Sequence, residues 1–278
     1  MGPMNLQPHL PRNRNDGIAL LHGLPRSGTS LLGMLLAGHP DISYRYQPLV
    51  SYEYRDRLEE YLGHEGLETL AKELRTTQDP FIRQWRREDL DTHIQSVSRR
   101  PAPVMLIKQV RFHNHLNDWM RSPLAQLILL NRKPEDLIAS QLTAFAELGQ
   151  YELTEDTWRR AEQKNGNDEN SFYGYEKIAE FREISSLLKA RYPSRVLSLD
   201  YEDLVADPKA VLAQIFDFLQ LEPAGQVTRL VDYLMESTET APAGAYQKRR
   251  RIAPRSKPYA PEIEEIRQII RDEEGQQS

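Results

Sequence analysis

The sequence predicts an α/β fold in which a parallel β-sheet is covered by helices on both faces. Short apolar runs occur at Ile18–Leu21, Pro103–Ile107, Ala125–Leu130 and Arg195–Leu199. Long stretches of helical periodicity separate them, too long for hairpin connections and suited to crossovers between parallel strands. The runs are almost wholly apolar rather than alternating, as expected of strands buried on both faces.

The first run leads into Gly23-Leu-Pro-Arg-Ser-Gly28. Thr29-Ser-Leu-Leu-Gly-Met-Leu-Leu-Ala37 then repeats apolar residues at helical spacing until Gly38. This order reads as strand, glycine loop, helix. Residues 53–98 are charged and helix-rich, with breaks at Gly63, Gly66 and Pro80. After the third run, Pro134 starts a helix to Leu148, since proline suits a first helical turn. Residues 154–192 read as helical with a break near Gly166. Asp207 caps a helix from Pro208 to about Leu219. Another helix covers about Val227 to Ser237, and a last one Glu262 to Glu274. Residues 1–16 read as a flexible lead-in and 17–278 as one domain, with a helical insertion at about 53–98.

Composition narrows the function. The 278 residues include no cysteine, which excludes a disulfide scaffold, a zinc-thiolate site and a thiol nucleophile. It also fits a cytoplasmic location. The net charge of −5 argues against a general nucleic-acid binder. Any anion site must therefore be built locally. No apolar stretch is long enough to span a membrane, and the N-terminus lacks the apolar core of a signal peptide.

Gly23 to Gly28 has the spacing of a phosphate loop, followed by Thr29-Ser30 where a nucleotide triphosphatase carries lysine and a hydroxyl residue. Loop amides and the helix N-terminus converge on an anion. Arg26 can fork onto a phosphate or sulfate, and Ser27, Gly28, Thr29 and Ser30 complete the cradle. The missing lysine makes a triphosphate a poor fit. At the end of the third strand stand Arg132 and, two helical turns on, Ser140.

Pro25-Arg-Ser-Gly-Thr-Ser30 resembles the 5′-phosphosulfate loop of the sulfotransferases that use 3′-phosphoadenosine 5′-phosphosulfate (PAPS) and release 3′-phosphoadenosine 5′-phosphate (PAP). The resemblance implies a three-layer P-loop-like fold, with a central parallel sheet flanked by helices. It implies sulfuryl transfer from PAPS to an acceptor hydroxyl by in-line displacement, with no obligatory metal. In that family an arginine and a serine eight positions apart hold the 3′-phosphate, as Arg132 and Ser140 are spaced. Tyr201-Glu-Asp-Leu204 followed by Asp207-Pro208 resembles another family segment and would set Tyr201 near the nucleotide; as residues alone, Tyr201 equally suits the core. The family closes a basic loop over the nucleotide where this chain has Tyr246-Gln-Lys-Arg-Arg-Arg251, so Arg249 and Arg250 are candidates. The usual Arg-Lys-Gly and Gly-x-Trp elements are absent there.

Leu106-Ile-Lys108-Gln-Val-Arg111 resembles the carbohydrate sulfotransferase branch and makes Lys108, with Arg26, the candidate to stabilise the transferring group. The base departs from both familiar patterns. Gln47 stands where the carbohydrate branch often has glutamate, and its amide cannot take a proton at neutral pH. Val110 stands where small-molecule enzymes have histidine. Glu53, His113 and His115 are the replacements. A glycan or a small molecule remains open as acceptor. Rival readings are a kinase of the P-loop class, opposed by the absent lysine, and a nucleotide-binding relative that has lost its base.

Overall fold

A computed structural model describes residues 17–83, 102–147, 154–166, 168, 170–236, 252 and 258–277. Five strands form its sheet: β1 (Gly17–His22), β2 (Ile42–Tyr46), β3 (Val104–Gln109), β4 (Ala125–Asn131) and β5 (Val196–Asp200). They lie in the order β2-β3-β1-β4-β5, and every pairing is parallel. The longer helices are α1 (Thr29–Ala37), α2 (Gly63–Thr76), α3 (Pro134–Glu147), α4 (Tyr175–Arg191), α5 (Pro208–Leu219), α6 (Gly225–Glu236) and α7 (Pro261–Gln277).

Alternate strand residues feed two separate cores, because successive side chains in a strand point to opposite faces. Ile18, Leu20, Ile107 and Leu129 pack with apolar residues of α2, α3, α4 and α7. Ala19, Leu21, Leu106, Ile128 and Leu130 pack with α1, α5 and α6. The result is the expected three-layer sandwich, buried on both sides of the sheet. It also fixes where each strand end points. His22 and Gln109 continue the α4 face, whereas Lys108 continues the α1 face.

β2 is the strand that the apolar runs did not predict. Ile42-Ser-Tyr-Arg-Tyr46 alternates polar with apolar residues, unlike a strand buried on both faces. The exception is Arg45, which is buried yet satisfied: Nε donates to the Leu74 carbonyl at 2.7 Å and a terminal nitrogen to the Tyr44 carbonyl at 2.9 Å. Between β2 and β3 the helical excursion comprises α2 and a turn at Pro80–Arg83 among the described residues. The expected helix over 154–192 is broken into Glu155–Arg159, Glu162–Asn165 and α4, with Gly166 left-handed at the break (φ 55°). No helix among the described residues is long and apolar enough to cross a membrane.

The expected cap forms at Asp207, whose carboxylate accepts from the Ala210 amide at 3.0 Å. Asp207→Ala should therefore lower the unfolding free energy by about 1 kcal/mol, read by urea denaturation, with little change in the slope of the transition.

Candidate functional site

Four strand ends converge on one edge of the sheet, and the candidate site is built there. The loop after β1 turns sharply. Arg26 and Gly28 both have positive φ, at 77° and 98°. The Ser27 amide donates to the Leu24 carbonyl at 3.0 Å. Positive-φ residues on either side of Ser27 turn successive amides into one concavity, which suits an anion. A β-carbon at Gly28 would lie 2.4 Å from Cδ2 of Tyr201, and one at Gly23 would lie 2.5 Å from the Leu130 carbonyl oxygen. These two glycines are thus required by close approach. Thr29 is buried at the first position of α1, with Ser30 half-buried behind it.

β4 supplies the second half. The Arg132 guanidinium donates to the Arg26 carbonyl at 2.8 Å and stacks 4.6 Å from the centre of the Tyr201 ring. Nε of Arg26 donates to Oγ of Ser140, on α3, at 3.1 Å. The structure thus brings Arg26, Gly28, Arg132, Ser140 and Tyr201 into one cluster, although they come from β1, β4, α3 and the end of β5. Gln141 braces the loop from below: its amide nitrogen donates to the Pro25 carbonyl at 3.3 Å, and its amide oxygen accepts from the Gly174 N–H at 3.2 Å.

Among the described residues, two buried polar atoms in this cluster have no protein partner: Oγ of Ser27 and Nε of Arg132. Buried donors are normally satisfied. Here they belong to residues suited to phosphate oxygens, so the cluster fits an anionic nucleotide. Arg249 and Arg250 lie outside the described residues.

Lys108, at the end of β3, is 2% exposed. Its Nζ lies 4.6 Å from the centre of the Tyr46 ring, whose face favours a cation. Phe81 meets Tyr46 edge-on at 5.3 Å. The backbone N–H of Gln47 donates to the Lys108 carbonyl at 2.8 Å, so the chain passes the lysine at the residue where the carbohydrate branch often has glutamate. Glu53 is exposed and accepts from the Thr77 hydroxyl at 2.9 Å. The Tyr54 hydroxyl beside it is pushed up to about 12, first by burial and then by the Glu53 carboxylate. His113 is 1% exposed and its Nε2 lies 3.2 Å from Oε1 of Glu180. Burial holds its pKa below the ordinary histidine value, against the opposing pull of Glu180. His115 is half-buried, its ring 6.3 Å from Trp119.

His22 had no assignment from the motifs. It is 1% exposed, pairs in register with Gln109, and its ring centre is 6.5 Å from that of His113. Burial lowers its pKa well below the usual range, and the charges of His113 and Lys108 add to the effect. The available signal was a polar residue closing an otherwise apolar strand just before the glycine loop. Among the described residues, no group of three histidine or carboxylate side chains could hold a metal ion.

A model described as "Sulfotransferase family" matches residues 20–225, most of the chain and all of the elements just described except the last two helices. The chain belongs to the sulfotransferase family. That family transfers a sulfuryl group, with PAPS as donor, and this is the reaction class of the chain. Several solved structures are similar to it. The sulfotransferase domain of the Synechococcus PCC 7002 olefin synthase is 20% identical, covers 92% of this chain and 95% of its own, and has a TM-score of 0.47. The sulfotransferase domain from the curacin biosynthetic pathway is 19% identical over 92% and 98%, at 0.45. A sulfotransferase from Alicyclobacillus acidocaldarius is 17% identical over 78% and 90%, at 0.46. No curated protein matches the chain. The match identifies the family and does not assign a branch within it.

Two outcomes follow for this sulfotransferase. Gly28→Ala adds about 1–2 kcal/mol of left-handed strain and drives a methyl group into Tyr201, so PAP affinity measured by calorimetry should fall sharply. Neutral His22 and His113 contribute stability that is complete above about pH 6.5, the ordinary histidine value. As pH falls below that, the unfolded chain takes up protons that the folded chain resists. The urea midpoint should decline on that acid side and stay flat between pH 7 and 8.

Proposed function

We propose that the cluster at the ends of β1 and β4 is the PAPS site, and that the acceptor hydroxyl attacks the sulfur from the side of Lys108. One observation supports it above the others: Arg26 bonds to Ser140 while Arg132 bonds to the carbonyl of Arg26. The two anion-binding patterns, far apart in the chain, therefore adjoin in space. In this reading the amides of residues 26–29, with Ser27, Thr29 and Ser30, hold the 5′ end of the donor. Arg132 and Ser140 hold the 3′-phosphate, and Tyr201 keeps the Arg132 guanidinium flat and oriented.

PAPS supplies an activated sulfuryl group with a good leaving group. What remains for the protein is positioning and charge stabilisation, as in the related phosphoryl transfers. Arg26 and Lys108 supply positive charge where the transferring oxygens and the leaving phosphate gain negative charge. Lys108 is held by burial and by the Tyr46 ring, so it is pre-oriented rather than mobile. For the proton, His113 is favoured over Glu53. It is buried and already oriented by a carboxylate, whereas Glu53 is exposed and engaged with Thr77. Arg249 and Arg250 belong to the same reading as closing residues over the nucleotide. The acceptor is a hydroxyl compound, either a glycan or a small molecule.

Arg26→Ala and Arg132→Ala each remove charge-assisted hydrogen bonds worth about 1.5–3 kcal/mol. Each should weaken PAP binding roughly 10- to 100-fold in a calorimetric titration. Wild-type affinity in both would refute the assignment. PAPS turnover should persist in the presence of a chelator; strict dependence on magnesium and ATP would favour the kinase reading instead.

A further inference from the structure

On the α4 side of the sheet, three buried polar residues sit together with nothing in the donor site to explain them. His22, Gln109 and His113 are 1%, 3% and 1% exposed. Among the described residues, both ring nitrogens of His22, both amide atoms of Gln109 and Nδ1 of His113 are buried without a protein partner. A buried orphan polar group costs about 1–3 kcal/mol, so five in one place call for a function. Their position supplies one. His22 immediately precedes Gly23, where the phosphate loop begins. Gln109 immediately follows Lys108.

The hydrogen bond from His113 to Glu180 sets the chemistry. Glu180 is kept below the usual carboxylate range: burial works against this, but Lys177 and His113 outweigh it. Its second oxygen accepts from Nζ of Lys177 at 2.6 Å. An ionised carboxylate can only accept, so neutral His113 must carry its proton on Nε2 and present a lone pair on Nδ1. Nδ1 is the atom left without a partner. Phe181, on the same helix as Glu180, packs on both rings, 5.5 Å from His22 and 6.2 Å from His113. The charged groups facing His113 are His22 from β1, His115 from its own turn, and Lys177 and Glu180 from α4; Lys108, on β3, acts on His22. Of these, only Glu180 favours its protonation.

We propose that Glu180 orients His113 as the proton acceptor of the transfer reaction, and that His22 and Gln109 are positioning residues lining the polar passage to it. The inference rests on the sulfuryl-transfer reading above and adds residues to it. As the acceptor oxygen bonds to sulfur, the bond from sulfur to the oxygen of the nucleotide's 5′-phosphate breaks, and its electron pair leaves with the phosphate. The acceptor's proton passes along His22 and Gln109, through solvent held by their polar atoms, to Nδ1 of His113. Glu180 balances the resulting imidazolium. Its side chain is 40% exposed, so the proton is then lost to bulk water. This arrangement accounts for a chain with Gln47 and Val110 at the two familiar base positions.

The test uses the full chain, with turnover read as PAP release from PAPS in the presence of 2-naphthol or with water as the hydroxyl acceptor. Glu180→Gln should lower kcat roughly 10- to 100-fold, within the range of general-base effects, with PAP affinity unchanged. It should also move the acid limb of the pH–rate profile to lower pH, because the charge that supports His113 protonation is gone. Glu180→Asp should restore part of kcat. His22→Phe should lower kcat without weakening PAP binding. An unaltered kcat and an unmoved acid limb in Glu180→Gln would overturn the proposal. If the variants do not fold, nitrogen NMR of the wild-type imidazoles decides: His113 protonated on Nε2 is expected, and protonation on Nδ1 overturns it. Failure of wild-type chain to bind PAP would instead defeat the donor-site reading.

Discussion

The Gly28–Tyr201–Arg132 stack is the constraint on which the rest depends. A left-handed glycine lets the loop after β1 approach Cδ2 and Cε2 of Tyr201, and the Arg132 guanidinium lies over the same ring. The loop after β1 and the end of β4 are thereby locked at a fixed separation. Neither could shift without breaking the bond from Arg132 to the Arg26 carbonyl. A site of this kind is preorganised by packing, so its charges need little rearrangement when an anion arrives. In the proposed reading, it lets an acidic chain hold a highly anionic donor. The overall charge of −5 matters less than three basic side chains gathered at the strand ends.

Much of this was legible in the sequence, for identifiable reasons. β1, β3 and β4 are buried on both faces, so each needs a nearly unbroken apolar run, and β5, half-exposed at the other margin, still carries Val196, Leu197 and Leu199. The glycine loop and the Arg132–Ser140 spacing are local patterns that survive without knowledge of the fold. β2 was not legible, because it lies at the sheet margin and carries a buried arginine satisfied by carbonyls from α2 and from itself. No propensity encodes such a rescue. The contact between Arg26 and Ser140 was equally hidden, since it depends on the order in which strands assemble. Glu180 was the least accessible of all. It is one of several glutamates on a charged helix, and only the packing of α4 under β1 and β3 distinguishes it.

The two faces of the sheet divide the chemistry. Lys108 and the phosphate loop look toward α1, while His22, Gln109 and His113 look toward α4. Period-two alternation alone forces this split at the strand ends. Charge stabilisation and proton removal can then occupy adjoining compartments of different polarity. In the proposed reading, a lysine beside the histidine in one compartment would repel the proton that the histidine accepts; the sheet keeps them on separate sides, with Lys108 close enough to lower the basicity of His22.

The position of β2, at the margin of the sheet among the described residues, has a consequence for self-association. A strand with one unpaired flank is a template for adding another chain, and proteins normally screen such flanks. Here α2 and the turn at Pro80–Arg83 lie against it, and Arg45 fastens the strand to the last turn of α2. The excursion after β2 is therefore a shield against self-association as much as a wall beside Tyr46. A homologue that shed it would need proline, added charge or a neighbouring subunit along that border to stay dispersed.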